Sequence, residues 1–155
     1  MVPEVLKKGL YHRIASVFVQ DDTGRMLLQL RGPDVKVYPN RWDQAAGGHV
    51  DKDSSYDRTA AAEVEEELGL RDVSLRPLAT YRYNQQDGDH IINQFVRVYV
   101  AQVPHDIVLH REVAEVTKLQ WFTPAELQAK VVQDSEAFTP GFLHELREYF
   151  PDFIA

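Results

Sequence analysis

The 155-residue chain has no cysteine. Disulfides, thiolate nucleophiles, cysteine-ligated zinc and iron–sulfur clusters are therefore excluded. Long apolar runs are also missing: no stretch approaches the ~20 residues needed to span a bilayer. The N-terminus, Met1-Val2-Pro3-Glu4-Val5-Leu6-Lys7-Lys8, lacks the apolar centre of a secretion signal. A cytoplasmic protein with no membrane partner is the expectation. There is no low-complexity tract, internal repeat or linker-like run of Gly, Ser or Pro. Basic residues are few, 17 against 24 acidic ones, for a formal charge of −7. That balance disfavours an extended nucleic-acid polymer as partner. A small phosphorylated substrate stays open, because a divalent cation can stand between two negative groups.

What remains is an ordinary globular composition, with 44% hydrophobic and 26% charged residues. One domain over residues 1–155 is the simplest organisation at roughly 100–200 residues per domain. Residues 11–20 are rich in β-formers, and Asp21-Asp22-Thr23-Gly24 reads as a turn into a second strand, Met26–Arg31. A loop with Pro33 and Pro39 leads to an extended segment from Trp42 to Val50. Asp53, Ser54 and Ser55 offer N-cap chemistry, and the spacing predicts a helix over Tyr56–Leu68, closed by Gly69. Segments 73–84 and 90–103 form a hairpin pattern around Gln85-Gln86-Asp87-Gly88, and a further strand is expected at 115–122. Thr123-Pro124-Ala125-Glu126 combines a capping box with Pro at the first helical position, and another helix starts after Thr139-Pro140. Strands joined by hairpins, with helices interspersed, point to an α+β fold: an α/β/α sandwich with a mixed sheet.

The chemistry concentrates in Ala60-Ala61-Ala62-Glu63-Val64-Glu65-Glu66-Glu67-Leu68-Gly69-Leu70. At about 100° per residue, Ala60, Val64 and Leu68 make an apolar stripe that faces the core. Glu63 and Glu67 flank it, with Glu66 just beyond, while Glu65 projects to the other side near Arg58. Like charges at these spacings each cost roughly 0.2–0.5 kcal/mol. Negative charge in the last helical turn costs roughly 0.3–1 kcal/mol more. A hard divalent cation reverses both penalties, because carboxylate oxygens are its preferred ligands. A solvated acidic face is the bland alternative. Gly47-Gly48, ahead of the helix, allows close backbone approach and puts a carbonyl beside the glutamates.

The span Gly48–Leu70 resembles the Nudix box, with Gly48, Glu63, Val64, Glu66, Glu67, Gly69 and Leu70 at matching positions. Ser54 stands where the box has its first glutamate and Ala62 where it has arginine, so the pair that commonly braces loop against helix is missing. Ser54 can still serve as N-cap, with Asp57 in the reciprocal position. The resemblance implies a Nudix fold. It also implies Mg²⁺ or Mn²⁺ held by Glu63, Glu66 and Glu67 with Gly47, and catalysis through Glu66 and Glu67.

Tyr11-His12-Arg13-Ile14-Ala15-Ser16-Val17-Phe18, Gln29-Leu30-Arg31, Lys36, Tyr38-Pro39, Trp42 and Gly48-His49 are similar to the branch containing isopentenyl diphosphate isomerase and its hydrolase-like relatives. Weaker similarity continues through Trp121–Leu127. By that resemblance Arg31 and Lys36 contact the substrate diphosphate, and His12 and His49 are metal candidates alongside Glu67. Isomerisation itself is disfavoured. The acid–base cysteine belongs at Gly47, and Asn93 and Gln94 lie where the later acidic pair is expected.

Hydrolysis needs less: a cation on the carboxylates, Arg31 and Lys36 on the phosphates, and a carboxylate to orient water, for which Glu112 and Glu115 are candidates. The expected activity is hydrolysis of a diphosphate bond in a nucleoside diphosphate linked to another group. Tyr81, Tyr83 and Phe95 can supply an aromatic wall for a base, although alternate strand residues are more often core. A homodimer is an open oligomeric form. A Nudix-fold binding or regulatory protein without turnover is the third reading, favoured by the missing glutamate–arginine pair and opposed by the three retained glutamates.

Overall fold

The computed structural model describes residues 10–110 and 116–154. Its strands are β1 (Tyr11–Asp21), β2 (Met26–Arg31), β3 (Trp42–Gln44), β4 (Ala46–His49), β5 (Leu75–Asp87), β6 (His90–Val103) and β7 (Val116–Phe122). The α-helices are α1 (Tyr56–Leu68), α2 (Pro124–Gln133) and α3 (Pro140–Tyr149), with short 3-10 turns at Ser135–Ala137 and Pro151–Phe153. The sheet runs β3-β2-β1-β6-β5, with β4 also on β1 and β7 on β2. β1 is parallel to β6 and antiparallel to β2 and β4, so the sheet is mixed.

Alternation along β1 divides the protein into its layers, because successive side chains leave a strand on opposite faces. Ala15, Val17 and Val19 join Ala60, Val64, Leu68 and Tyr99 in the core beneath α1. Phe18, with Met26, Leu28, Val96 and Val98, packs against Leu127, Phe142 and Leu146 of α2 and α3. Helices cover both faces, as the α/β/α expectation required. The predicted stripe of α1 is buried, with Ala60 and Leu68 at 0% exposure and Val64 at 2%. Full burial of a Val or Leu side chain contributes about 1.5–3 kcal/mol.

Three local details differ from the sequence reading. The extended segment Trp42–Val50 is broken at Ala45 into β3, which pairs with β2, and β4, which pairs with β1. The hairpin strand β5 continues to Asp87, so the turn is tighter than the residues around Gln85 suggested. The N-cap of α1 is Ser55, which accepts from the Arg58 amide at 3.2 Å, rather than Ser54. Asp57 is engaged elsewhere, accepting a 2.5 Å hydrogen bond from the Tyr99 hydroxyl. The later caps follow the sequence. Thr123 and Glu126 form the reciprocal box at α2, and Thr139 accepts from the Phe142 amide at 3.2 Å at the start of α3.

Candidate active site

α1 lies over β4 and β1, which brings its second and third turns onto the two glycines of β4. A Cβ on Gly48 would fall 2.5 Å from Glu63 Oε1 and 2.6 Å from its Cδ. Glycine is therefore required for Glu63 to lie where it does. One residue earlier, the Gly47 amide donates to Glu67 Oε1 at 3.3 Å, and Gln29 Nε2 of β2 donates to Glu67 Oε2 at 3.0 Å. The same Gln29 amide group reaches the Ala45 carbonyl at 3.1 Å.

Glu67 is only 4% exposed. Burial, a hydrogen bond to the Glu63 side chain and the Glu63 charge push its pKa up to about 9, against the two donors from Gly47 and Gln29. A hydrogen bond between two carboxyl groups requires a proton between them, so the pair carries one negative charge and not two. That is the chemistry of a cation site. Buried oxygen ligands with too much negative charge hold either a proton or a hard metal ion. Glu63, Glu67 and the backbone at Gly47 fit Mg²⁺ or Mn²⁺ on this ground. Glu66, the third expected ligand, is exposed one position along the helix. Among the described residues, no three His, Asp or Glu side chains are already gathered as a ligand set. Glu65 does project away from this pair, although its partner is Arg71 at 2.9 Å and not Arg58.

The expected phosphate-binding residues lie on β2 and the loop after it. The Arg31 guanidinium donates to the Val37 carbonyl through Nε at 3.1 Å and Nη2 at 2.9 Å, and faces Asp43 Oδ2 at 3.4 Å. It thereby pins the 32–41 loop, on which Lys36 is exposed. Of five guanidinium N–H groups, those contacts leave others to meet an anion. Glu112 and Glu115 lie outside the described residues, as does any geometry for a water-orienting carboxylate there.

The two histidines come together. The rings of His12 and His49 meet edge to face with centroids 5.1 Å apart, and Gln94 Nε2 is 3.2 Å from His12 Nε2. Burial lowers both pKa values, favouring neutral imidazole. The proposed aromatic wall does not form as a unit. β5 and β6 pair Arg82 with Phe95, so Phe95 leaves the opposite face from Tyr81 and Tyr83. It is 41% exposed and meets Tyr11 instead, with centroids 5.2 Å apart and the rings tilted by 35°.

Sequence reasoning missed two groups. Gln29 belongs to the stretch similar to the isomerase branch, and its amide holds Glu67. Glu145 of α3 was not singled out. It is 4% exposed and accepts from the Ser16 hydroxyl and the Tyr81 hydroxyl, each at 2.6 Å. Burial raises its pKa to about 7 despite those two donors. Asp43 is also buried, with its pKa raised by burial and countered by Arg31 and the Thr139 hydroxyl. A glutamate at a core position of an amphipathic helix was the available signal for Glu145.

Comparison with known proteins agrees with this geometry. The chain is 32% identical over 134 residues to an isopentenyl-diphosphate Delta-isomerase of Nocardia farcinica, covering 85% of this chain and 75% of the relative. It is 31% identical over 146 residues to an uncharacterised Nudix hydrolase of Pseudomonas aeruginosa, covering 94% and 82%. The NUDIX domain of Shewanella oneidensis NrtR, solved in complex with ADP ribose, has the same fold. It matches with a TM-score of 0.66 at 18% identity, over 95% of this chain and 90% of that one. Membership supports hydrolysis of a diphosphate-linked substrate as the general chemistry, although some relatives are named isomerases. The model of the NUDIX domain matches residues 10–142, and with the glycine–glutamate geometry above this chain belongs to the Nudix family.

Proposed function

We propose that this protein is a single-domain cytoplasmic enzyme that uses Mg²⁺ or Mn²⁺ to hydrolyse a diphosphate bond in a nucleoside diphosphate linked to another group. The observation that carries this reading is the buried Glu67 carboxyl, held by Gly47 and Gln29 against Glu63. Glu63, Glu66, Glu67 and the Gly47 backbone would hold the cation. When bound, it supplies charge neutralisation at the diphosphate and an activated nucleophile. A cation there would compete with the proton that Glu63 and Glu67 share. Gln29 and Gly47 hold both oxygens of Glu67 in a fixed orientation. Arg31 and Lys36 hold the phosphate oxygens in register, Arg31 from a guanidinium already fixed by Val37 and Asp43. Glu115, or its neighbour Glu112, orients the attacking water. The ADP ribose bound by a protein of this fold is an example of the substrate class.

The isomerase reading is supported by the names of several relatives. Against it stands position 47, where a Cβ would lie 2.8 Å from the Ala15 carbonyl oxygen. The strand pairing leaves no room for the cysteine that chemistry uses. Incubation with a panel of nucleoside diphosphate derivatives and with isopentenyl diphosphate, each with and without Mg²⁺ or Mn²⁺, separates the readings. Metal-dependent cleavage of a member of the panel is expected. Isomerised product, or no cleavage of anything in the panel, would remove the hydrolase reading.

A further inference from the structure

The connection between β4 and α1 sets where Gly48 lies relative to Glu63, and the Arg13 side chain bonds to it at two points. Arg13 projects from β1 and donates through Nη2 to the Asp51 carbonyl at 2.8 Å and to the Ser54 carbonyl at 3.3 Å. Its own carbonyl accepts from the Val50 amide at 2.9 Å, so backbone and side chain of one residue grip both ends of the segment. The guanidinium also lies 5.5 Å from the ring centre of Tyr56, the first residue of α1, with Arg97 on the same ring at 4.4 Å. Two cations beside a helix N-terminus oppose the helix dipole. Their position is therefore set by specific contacts and not by the local field. Both bonds leave one nitrogen, Nη2, so a single N–H₂ group of the guanidinium ties the two carbonyls together.

We propose that Arg13 is a positioning residue for the glutamate site: by clamping residues 51–54 it sets Gly48 of β4 against Glu63 of α1. Ser54 and Ala62 leave this chain without the glutamate–arginine brace of the Nudix box, and Arg13 reaches the same connection from the sheet. The consequence for metal binding rests on the proposed hydrolase reading; the clamp itself does not.

Two measurements on Arg13→Gln, Arg13→Lys and Arg97→Gln test it. Amide hydrogen exchange in the metal-free protein reads the clamp. Arg13→Gln should speed exchange across residues 47–54 by about 10-fold or more, and Arg13→Lys by less. Titration with Mg²⁺, followed by melting temperature and by turnover, reads the consequence. Loss of an orienting partner behind a metal ligand typically costs roughly 10–100-fold in affinity or activity. Arg13→Gln should raise the Mg²⁺ concentration needed by about that factor, with kcat at saturating Mg²⁺ changing less. Arg97→Gln removes a cation from Tyr56 but no bond to residues 51–54, so it should lower melting temperature without moving the Mg²⁺ requirement. Unchanged exchange at 47–54 in Arg13→Gln overturns the clamp. Equal Mg²⁺ shifts in Arg13→Gln and Arg97→Gln reduce Arg13 to a general stabiliser and overturn the positioning role. A wild-type protein that ignores Mg²⁺ sinks the hydrolase reading and with it the metal consequence, while exchange at 47–54 still decides the clamp.

Discussion

Gly48 and Glu63 occupy one space: the Cβ that any other residue would place at 48 lies 2.5 Å from the Glu63 carboxylate oxygen. The obstructing group is the end of a flexible side chain and not backbone. Gly48→Ala is thus expected to turn Glu63 away from Glu67 at small cost in stability. The protein should melt within a few degrees of wild type, yet need at least about 10-fold more Mg²⁺ for half-maximal turnover, as for other disturbed ligand geometry. Wild-type Mg²⁺ dependence in this variant would separate Glu63 from the metal site.

Position 47 behaves differently, because there the obstacle is the Ala15 carbonyl oxygen of the paired strand, 2.8 Å away. Gly47→Cys must shift β4 against β1. A destabilisation of about 1–3 kcal/mol is expected, as for other overpacked sites, with no gain of isopentenyl diphosphate isomerisation. Denaturant melts and an isomerase assay on the purified variant check both halves.

Glu67→Gln should abolish metal-dependent turnover and leave the fold intact, since the neutral amide resembles the protonated carboxyl already present in the metal-free site. Its amide N–H can donate to Glu63 in place of the proton the pair shares, so the metal-free variant should melt close to wild type. Added Mg²⁺ should stabilise wild type by mass action and the variant much less. Glu65→Gln is the control, because Glu65 faces Arg71 on the other side of the helix. Equal loss of activity in both variants would point to net charge in place of a site.

Burial of Glu145, only partly offset by the Ser16 and Tyr81 hydroxyls, makes stability depend on pH. The folded pKa of Glu145 is raised to about 7 from 4.5, so the folded protein binds more protons than the unfolded chain between those values. Its contribution is greatest below about pH 4.5 and declines as pH rises toward 7, after which it levels off. Glu145→Gln, which keeps partners for both hydroxyls, should flatten that part of the stability curve measured by denaturant melts. A curve of unchanged slope between pH 5 and 7 would mean that Glu145 does not titrate there.

The amphipathic repeat Ala60, Val64, Leu68 specified which face of α1 is buried, because helical period and apolar spacing are local properties of the chain. The glutamates beside that stripe, the caps at Thr123 and Thr139, and the mixed character of the sheet were legible for the same reason. Contacts between distant segments were not. The spacing placed Glu66 with Glu63 and Glu67 on one edge of the helix. Only the approach of β4 decided that Glu67 is buried against Gly47 and Gln29 while Glu66 remains exposed. Likewise, Tyr81, Tyr83 and Phe95 all belong to one hairpin, and its register set Phe95 on the opposite face. Glu145 reaches Ser16 across 129 positions, and Arg13 reaches Ser54 across 41. Sequence by itself determined the elements, the acidic motif and its family. Which carboxyl is desolvated, and which arginine holds the loop beside it, depend on strand pairing and helix docking, so only the tertiary structure decided them.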